Sequence, residues 1–126
     1  MMKVLSWNST GVGKPSKLAA LRDLINQEKP EIILLQETKQ GDLEMKTIME
    51  KMKHYGGTLS ESRGASGGLA TLWNHSIWKY KDTTVKQNWI KVILECARDQ
   101  EKIIVYNVYG PNHYRDKEIY WNSLKE

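Results

Sequence analysis

The chain has 126 residues, of which 40% are hydrophobic and 27% charged, and its net charge at pH 7 is +4. This length fits a single domain, and the ordinary globular composition excludes a disordered or collagen-like protein. No apolar run approaches the roughly 20 residues of a membrane-spanning helix, and the first residues lack the apolar stretch of a signal peptide.

The cysteine content and the charge indicate a compartment and a class of partner. A single cysteine, Cys96, excludes a disulfide framework and favours a reducing compartment. We therefore expect an intracellular protein, nuclear or cytoplasmic, with no membrane partner. The positive charge allows a polyanionic partner without requiring one.

The first third of the chain predicts a βαβ unit. Residues 4–7 predict a short strand, which the Gly- and Pro-containing stretch 8–15 ends. Ser16 is predicted to cap a helix with apolar residues at helical spacing, and Pro30 ends it. Four consecutive apolar residues, 32–35, predict a strand that is buried on both faces and parallel to the first.

The rest of the chain predicts one more helix and then mainly strands. Asp42 is predicted to cap a second helix, residues 60–68 form a Ser- and Gly-rich loop, and residues 114–126 predict a last helix. The fold class is α/β or α+β, a mixed sheet with helices on the outside. Three short β-rich runs, with links short enough for antiparallel pairing, cover residues 69–73, 89–96 and 103–109.

Polar side chains follow three of the predicted strands, where ligands gather in open parallel sheets. Glu37 comes directly after the buried strand, where desolvation makes an unpaired carboxylate costly. It suits a hard cation such as Mg²⁺, and a capping or surface glutamate is the alternative. Asn8 follows the first strand and is either a turn former or a ligand of a phosphate oxygen or a metal-bound water.

The third polar cluster contains a Tyr-Gly-Pro-Asn sequence, residues 109–112. Taken alone it is a turn in which Pro restricts φ and Gly supplies freedom. In a binding site, Tyr109 and Asn112 would instead offer two donors to an anion. Arg115 would add a planar cation suited to phosphate.

Four segments together carry a family resemblance: 5–11 (LSWNSTG), 33–39 (ILLQETK), 66–70 (SGGLA) and 108–112 (VYGPN). In this order and spacing they resemble the endonuclease/exonuclease/phosphatase superfamily, whose fold is DNase I-like. The sequence is most similar to apurinic/apyrimidinic endonucleases and to endonuclease domains of LINE-type (non-LTR) retrotransposons. Thr10 stands where apurinic endonucleases carry an acidic residue, which favours the LINE type.

The resemblance implies a four-layered α/β sandwich and phosphodiester hydrolysis of DNA with Mg²⁺, with Mn²⁺ as an alternative. It implies that Glu37 is the metal-binding carboxylate and that Asn8 positions the phosphate and the metal's water shell. Tyr109 would bind the scissile phosphate, so Asn8, Glu37 and Tyr109 are the expected catalytic residues. The side chains expected to contact the DNA phosphate backbone are Lys39, Asn112 and Arg115.

Two motifs of the superfamily's second half, Gly-Asp-x-Asn and Ser-Asp-His, do not occur in this sequence. We therefore expect residues 1–126 to be one partial domain that lacks the C-terminal half and is weakly active or inactive. The second sheet would then lack strands, leaving a face of the first sheet uncovered and open to self-association. A non-catalytic remnant that binds nucleic acid or protein, and a phosphatase of the same superfamily, remain alternatives.

Overall fold

The computed structural model describes residues 2–60 and 67–109, so the predicted helix over 114–126 and most of the predicted loop over 60–68 lie outside it. Among the described residues, neither helix is long and apolar enough to cross a lipid bilayer. The elements in chain order are β1 (Val4–Asn8), α1 (Pro15–Glu28), β2 (Ile32–Gln36), α2 (Asp42–Glu50), β3 (Tyr55–Ser60), β4 (Leu69–Asn74), β5 (Trp78–Val85), β6 (Trp89–Cys96) and β7 (Lys102–Val108).

The strands form two sheets. The first has the order β1-β2-β4-β3, and its β1 and β2 are parallel, which confirms the predicted βαβ unit. The second has the order β5-β6-β7 and is antiparallel throughout, which confirms the predicted antiparallel pairing for the runs 89–96 and 103–109. The pairing is wrong for the run 69–73, because that run is β4 and lies in the first sheet. Strand β4 pairs antiparallel with both β2 and β3, so the first sheet is mixed.

Both helices begin earlier than predicted, α1 by two residues and α2 by one. Helix α1 begins at Pro15 with Lys14 as its N-cap, so the prediction that Ser16 caps it is wrong. Proline suits the first helical position because an N–H group there has no acceptor within the helix, so the N–H that proline lacks is not needed. Helix α2 has Gly41 as its N-cap, so the prediction that Asp42 caps it is also wrong. As the first helical residue, Asp42 places its negative charge at the positive end of the helix.

Two strands, β3 and β5, escape prediction because their composition is unlike that of ordinary strands. Gly56 and Gly57 lie inside β3, where glycine usually weakens a strand. They allow close packing, since a Cβ on Gly56 would lie 3.2 Å from Trp73 Nε1 and one on Gly57 would contact the Met49 methyl group. Strand β5 lies at a sheet edge, and most of its residues are polar and exposed. Its only buried residue is Trp78.

The central strands of the first sheet, β2 and β4, are buried on both faces. One core lies between this sheet and the two helices, and a second core lies between the two sheets. Ile32, Leu69 and Trp73 of the first sheet pack in the second core and are 1%, 1% and 5% exposed. The prediction of an uncovered face on the first sheet is therefore wrong at β2 and β4, where the second sheet's inward side chains cover these positions. Those of β6 are Ile90, Val92, Leu94 and Cys96. On the same face of β1, Val4 is 48% exposed, so the face is uncovered there.

Exposed apolar side chains also occur on the outer face of the second sheet. Along β7, Ile103 and Val105 pack against the core, and the alternating residues Ile104 and Tyr106 point outward. Ile104 is 57% exposed and Tyr106 is 49% exposed. The described residues thus form three layers: helices, the first sheet and the second sheet.

Candidate active site

Three chain segments meet where β1, β2 and β7 end. The parallel register pairs Asn8 with Gln36, so Asn8 and Glu37 leave the first sheet at the same edge. Tyr109 follows β7 of the other sheet, and its hydroxyl donates a hydrogen bond of 3.1 Å to Glu37 Oε1. The structure thus brings Asn8, Glu37 and Tyr109 together, as a shared site requires, and their catalytic roles stay predictions.

The Glu37 carboxylate is available to bind a ligand. It is half-buried, and among the described residues it forms no ion pair with a basic side chain. Burial, then the hydrogen bond to Glu37 and the negative charge of Glu37, raise the pKa of the Tyr109 hydroxyl above its ordinary value. Tyr109 therefore stays protonated at neutral pH and donates to one carboxylate oxygen. The other oxygen has no hydrogen-bond partner within the described ranges.

The loops at the site contain unusual backbone conformations. Thr10, Glu37 and Lys39 have φ values of 50°, 50° and 54°, in the left-handed region that non-glycine residues seldom adopt. Each such residue costs about 1–3 kcal/mol and persists only where surrounding contacts enforce it. Strained residues of this kind cluster at functional sites, which supports a functional role for these two loops.

Hydrogen bonds from both sides hold the Glu37 loop in this conformation. On one side, the Ser9 hydroxyl and the Gly11 N–H donate to the Glu37 carbonyl at 3.1 and 2.8 Å. On the other side, the Thr38 N–H donates to the Gly68 carbonyl at 3.2 Å. The carboxylate of Glu37 is therefore presented on a rigid loop, which pre-organises it for binding.

A buried polar pair joins the two sheets beneath the site. Asn107 of β7 is 0% exposed, and its amide donates to the carbonyls of Leu35 at 3.2 Å and Ala70 at 2.9 Å. Its Oδ1 accepts a 2.9 Å hydrogen bond from Gln36 Nε2. Gln36 precedes Glu37, and Asn107 lies two residues before Tyr109, so this pair sets the distance between the two site residues. The prediction overlooked it, although a lone Asn within an apolar strand indicates a buried hydrogen-bonding role.

Lysine side chains surround the loop after β1. The Lys17 ammonium donates to the Ser9 carbonyl at 2.6 Å. Lys14 and Lys39 flank Gly11, since a Cβ on that glycine would lie 3.7 Å from Lys14 Cε and 3.8 Å from Lys39 Cδ. These three cations suit an anionic substrate. The sequence reasoning singled out Lys39 and missed Lys14 and Lys17; Asn112 and Arg115 lie outside the described residues.

The donor set fits a sparsely ligated Mg²⁺. The described residues contain no group of three or more His, Cys, Asp or Glu side chains able to hold a metal, so they offer no complete protein cage. Magnesium, however, often binds one or two carboxylates and otherwise keeps waters and substrate phosphate. Glu37 has a carboxylate oxygen to offer. Asn8 is exposed, and its Oδ1 accepts only a long hydrogen bond of 3.4 Å from the Thr10 hydroxyl within the described ranges.

Replacing Tyr109 with phenylalanine tests whether its hydroxyl positions Glu37. We expect Mn²⁺, used as a probe of the site, to bind about tenfold more weakly, because partners that orient a metal ligand typically contribute 10–100-fold. The free energy of unfolding should fall by only about 1 kcal/mol, the contribution of one half-buried hydrogen bond. Titration by electron paramagnetic resonance and urea unfolding measure the two quantities.

Tyr106→Phe is the matched control, because Tyr106 is exposed on the same strand and its hydroxyl makes no hydrogen bond within the described ranges. It should leave Mn²⁺ affinity unchanged. Equal affinity of wild type and Tyr109→Phe would show that the hydroxyl does not position Glu37.

Comparison with known proteins identifies the family. Residues 5–125 match the Endonuclease/Exonuclease/phosphatase family, and the chain belongs to it. No curated protein sequence matches the chain significantly.

Solved structures with the same fold include two AP endonucleases and a 3′ phosphatase. An AP endonuclease from Archaeoglobus fulgidus is 21% identical with a TM-score of 0.76, covering 98% of this chain and 49% of that one. The 3′ phosphatase NExo from Neisseria, bound to a product DNA hairpin, is 17% identical with a TM-score of 0.75 and covers 98% and 50%. An AP endonuclease from Leishmania major is 19% identical with a TM-score of 0.68 and covers 87% and 40%. The chain thus spans about half the length of these structures or less, and the shared fold is DNase I-like.

Proposed function

We propose that this chain carries part of a Mg²⁺-dependent nuclease centre that hydrolyses phosphodiester bonds of DNA. The observation that carries the proposal is the convergence of the Glu37 carboxylate, the Asn8 amide and the Tyr109 hydroxyl beside three lysines. On its own, the 126-residue chain is weakly active or inactive, because it lacks the two motifs expected in the second half of the domain.

The roles of the residues follow from their chemistry. Mg²⁺ bound at Glu37 would neutralise charge that develops on the phosphate and leaving oxygens during in-line displacement. Glu37 holds the cation, and the Asn8 amide orients a metal-bound water or a phosphate oxygen. Tyr109, protonated at neutral pH, has a single O–H, which donates to Glu37 in this structure and would turn to an oxygen of the scissile phosphate when substrate is bound. Lys39 contacts the phosphate backbone from the rim of the site, as do Asn112 and Arg115 in this proposal.

One feature supports a retrotransposon-type enzyme over an apurinic endonuclease, and another supports DNA over the phosphatase alternative. Thr10 replaces the second acidic side chain expected in apurinic endonucleases, which favours the LINE type. Three lysines around one loop suit an extended polyanion better than a small phosphoester. The superfamily phosphatase remains the alternative activity, which a phosphate-release assay on phosphomonoesters would reveal.

Nicking of supercoiled plasmid tests the proposal. With Mg²⁺ we expect slow conversion to the open circle, stopped by EDTA and lost in Glu37→Ala, because removing an essential catalytic group costs about 10²–10⁴-fold. Cleavage that survives Glu37→Ala would contradict the site. Robust cleavage that this substitution abolishes would support the site and contradict the expected weak activity.

A non-catalytic binding remnant is the second candidate, and one observation supports it. Ile104 and Tyr106 are 57% and 49% exposed on the outer face of the second sheet, which is able to contact a partner or a second copy. For nucleic acid, this candidate predicts Mg²⁺-independent binding that weakens with salt and is insensitive to Glu37→Ala. For self-association, it predicts a dimer in light scattering that Ile104→Lys dissociates.

A further inference from the structure

A second cationic site lies far from Glu37, between α1 and the turn that follows α2. It is a cavity of about 260 Å³, slightly smaller than the pockets that hold drug-sized ligands. Tyr55 pairs with Asn74 at the end of β4 opposite to Leu69, which pairs with Gln36 beside the candidate active site. The cavity residues of α1 lie about 10–16 Å along the helix from its first residue, at 1.5 Å per residue. This cavity and the active site are therefore separate.

The cavity has an apolar floor and a cationic rim. Ile25, Met52 and the ring of Tyr55 supply the floor, and Met52 is 8% exposed. The Tyr55 hydroxyl donates to the Pro30 carbonyl at 2.5 Å, which fixes the ring as one wall. The polar side chains of the rim are Arg22, Asn26, Lys51, Lys53 and His54.

The rim charges are not neutralised. No acidic side chain lines the cavity, and Arg22, Lys51 and Lys53 form no ion pairs within the described ranges. Lys51 lies at the C-terminal end of α2, where a cation also offsets the helix dipole. An anion in the cavity would therefore bind chiefly to Arg22 and Lys53, with His54 as a further donor.

We propose that this cavity binds one nucleotide unit, with its base on the apolar floor and its phosphate at Arg22 and Lys53. An inorganic anion would use the cations and leave the floor empty, whereas a lipid or peptide chain would exceed the volume. A planar base against the Tyr55 ring combines stacking with phosphate contact, as in proteins that bind single-stranded nucleic acid. This nucleotide unit is either part of a single-stranded nucleic acid or a free nucleotide.

Binding measured in EDTA tests this inference separately from the proposed nuclease function, since no metal chemistry takes part. We compare wild type with the double variant Arg22→Ala/Lys53→Ala, using fluorescein-labelled oligothymidylate and, separately, AMP. Lys79→Ala/Lys81→Ala is the matched control, because it removes two exposed cations from β5 of the other sheet.

We expect the double variant to bind the oligonucleotide about tenfold more weakly and the control to match wild type. The slope of log K against log salt should become less negative by about 0.7, since the double variant removes one phosphate contact and each such contact on a single strand contributes about 0.7. AMP should shift backbone amide resonances of residues 22–26 and 51–55, and the double variant should abolish these shifts. If the double variant loses affinity for both the oligonucleotide and AMP, the bound nucleotide unit is part of a single strand. If it loses affinity for AMP alone, the cavity binds a free nucleotide.

Three results would overturn the inference. One is an equal loss of affinity in the control variant. Another is the absence of AMP-induced shifts at residues 22–26 and 51–55. The third is equal binding of AMP and ribose 5-phosphate, because a base seated on the apolar floor must add affinity.

Discussion

Glu37→Gln should weaken Mn²⁺ binding by at least about 100-fold and lower any Mg²⁺-dependent nicking by about 10²–10⁴-fold. Glutamine keeps the shape of the side chain, and its Oε1 can still accept the hydrogen bond from Tyr109. The substitution therefore removes the charge without removing the contact that joins the two sheets at this point. Electron paramagnetic resonance gives a readout of the metal even if the chain cleaves no DNA.

Glu50→Gln is the control, because Glu50 is an exposed carboxylate at the end of α2, outside the site. It should bind Mn²⁺ as wild type does. Mn²⁺ binding that is unchanged in Glu37→Gln would exclude Glu37 as the metal ligand and would remove the basis of the nuclease proposal.

Asn107→Asp should lower the free energy of unfolding by about 3 kcal/mol or more. The new side chain has the same shape but loses both amide donors, which leaves the carbonyls of Leu35 and Ala70 facing a buried carboxylate. Burial disfavours the charged form and should raise the pKa of this new carboxyl. Its protonated form donates one hydrogen bond, so the loss of stability should shrink as the pH falls. Urea unfolding at neutral and acidic pH measures both effects.

Asn26→Asp makes the same chemical change at an exposed position of α1 and should alter stability by less than about 0.5 kcal/mol. The functional consequence of Asn107→Asp is a displaced Tyr109, which should also weaken Mn²⁺ binding at Glu37. A variant as stable as wild type would contradict the role assigned to the buried pair. Stability lost with normal Mn²⁺ affinity would contradict its role in positioning the site.

The elements that could be predicted are those with a local signal. Four consecutive apolar residues mark β2, and the helix between the first two strands implies their parallel pairing. Glu37 could be placed at a sheet edge because it directly follows a buried strand. The predicted start was two residues late for α1 and one residue late for α2, since Pro15 and Asp42 each take the first helical position.

The remaining features depend on contacts that are distant in sequence. The hydrogen bond between Tyr109 and Glu37 joins residues 72 positions apart in different sheets. Asn107 finds its partners in β2 and β4, and no local pattern specifies which carbonyls lie beneath it. Strand β3 exists because Gly56 and Gly57 allow close packing, which only the assembled neighbours reveal. Tertiary packing outweighs intrinsic propensity there.

The Gln36–Asn107 contact makes folding and chemistry depend on the same two side chains. Each belongs to one sheet, and each is followed within two residues by a site residue. Relative sliding of the sheets would separate Glu37 from Tyr109 before it exposed much of the core. Mutations that loosen the Gln36–Asn107 contact would thus abolish activity before they made the protein insoluble. Substitutions at either side chain must preserve both the packing of the sheets and the geometry of the site.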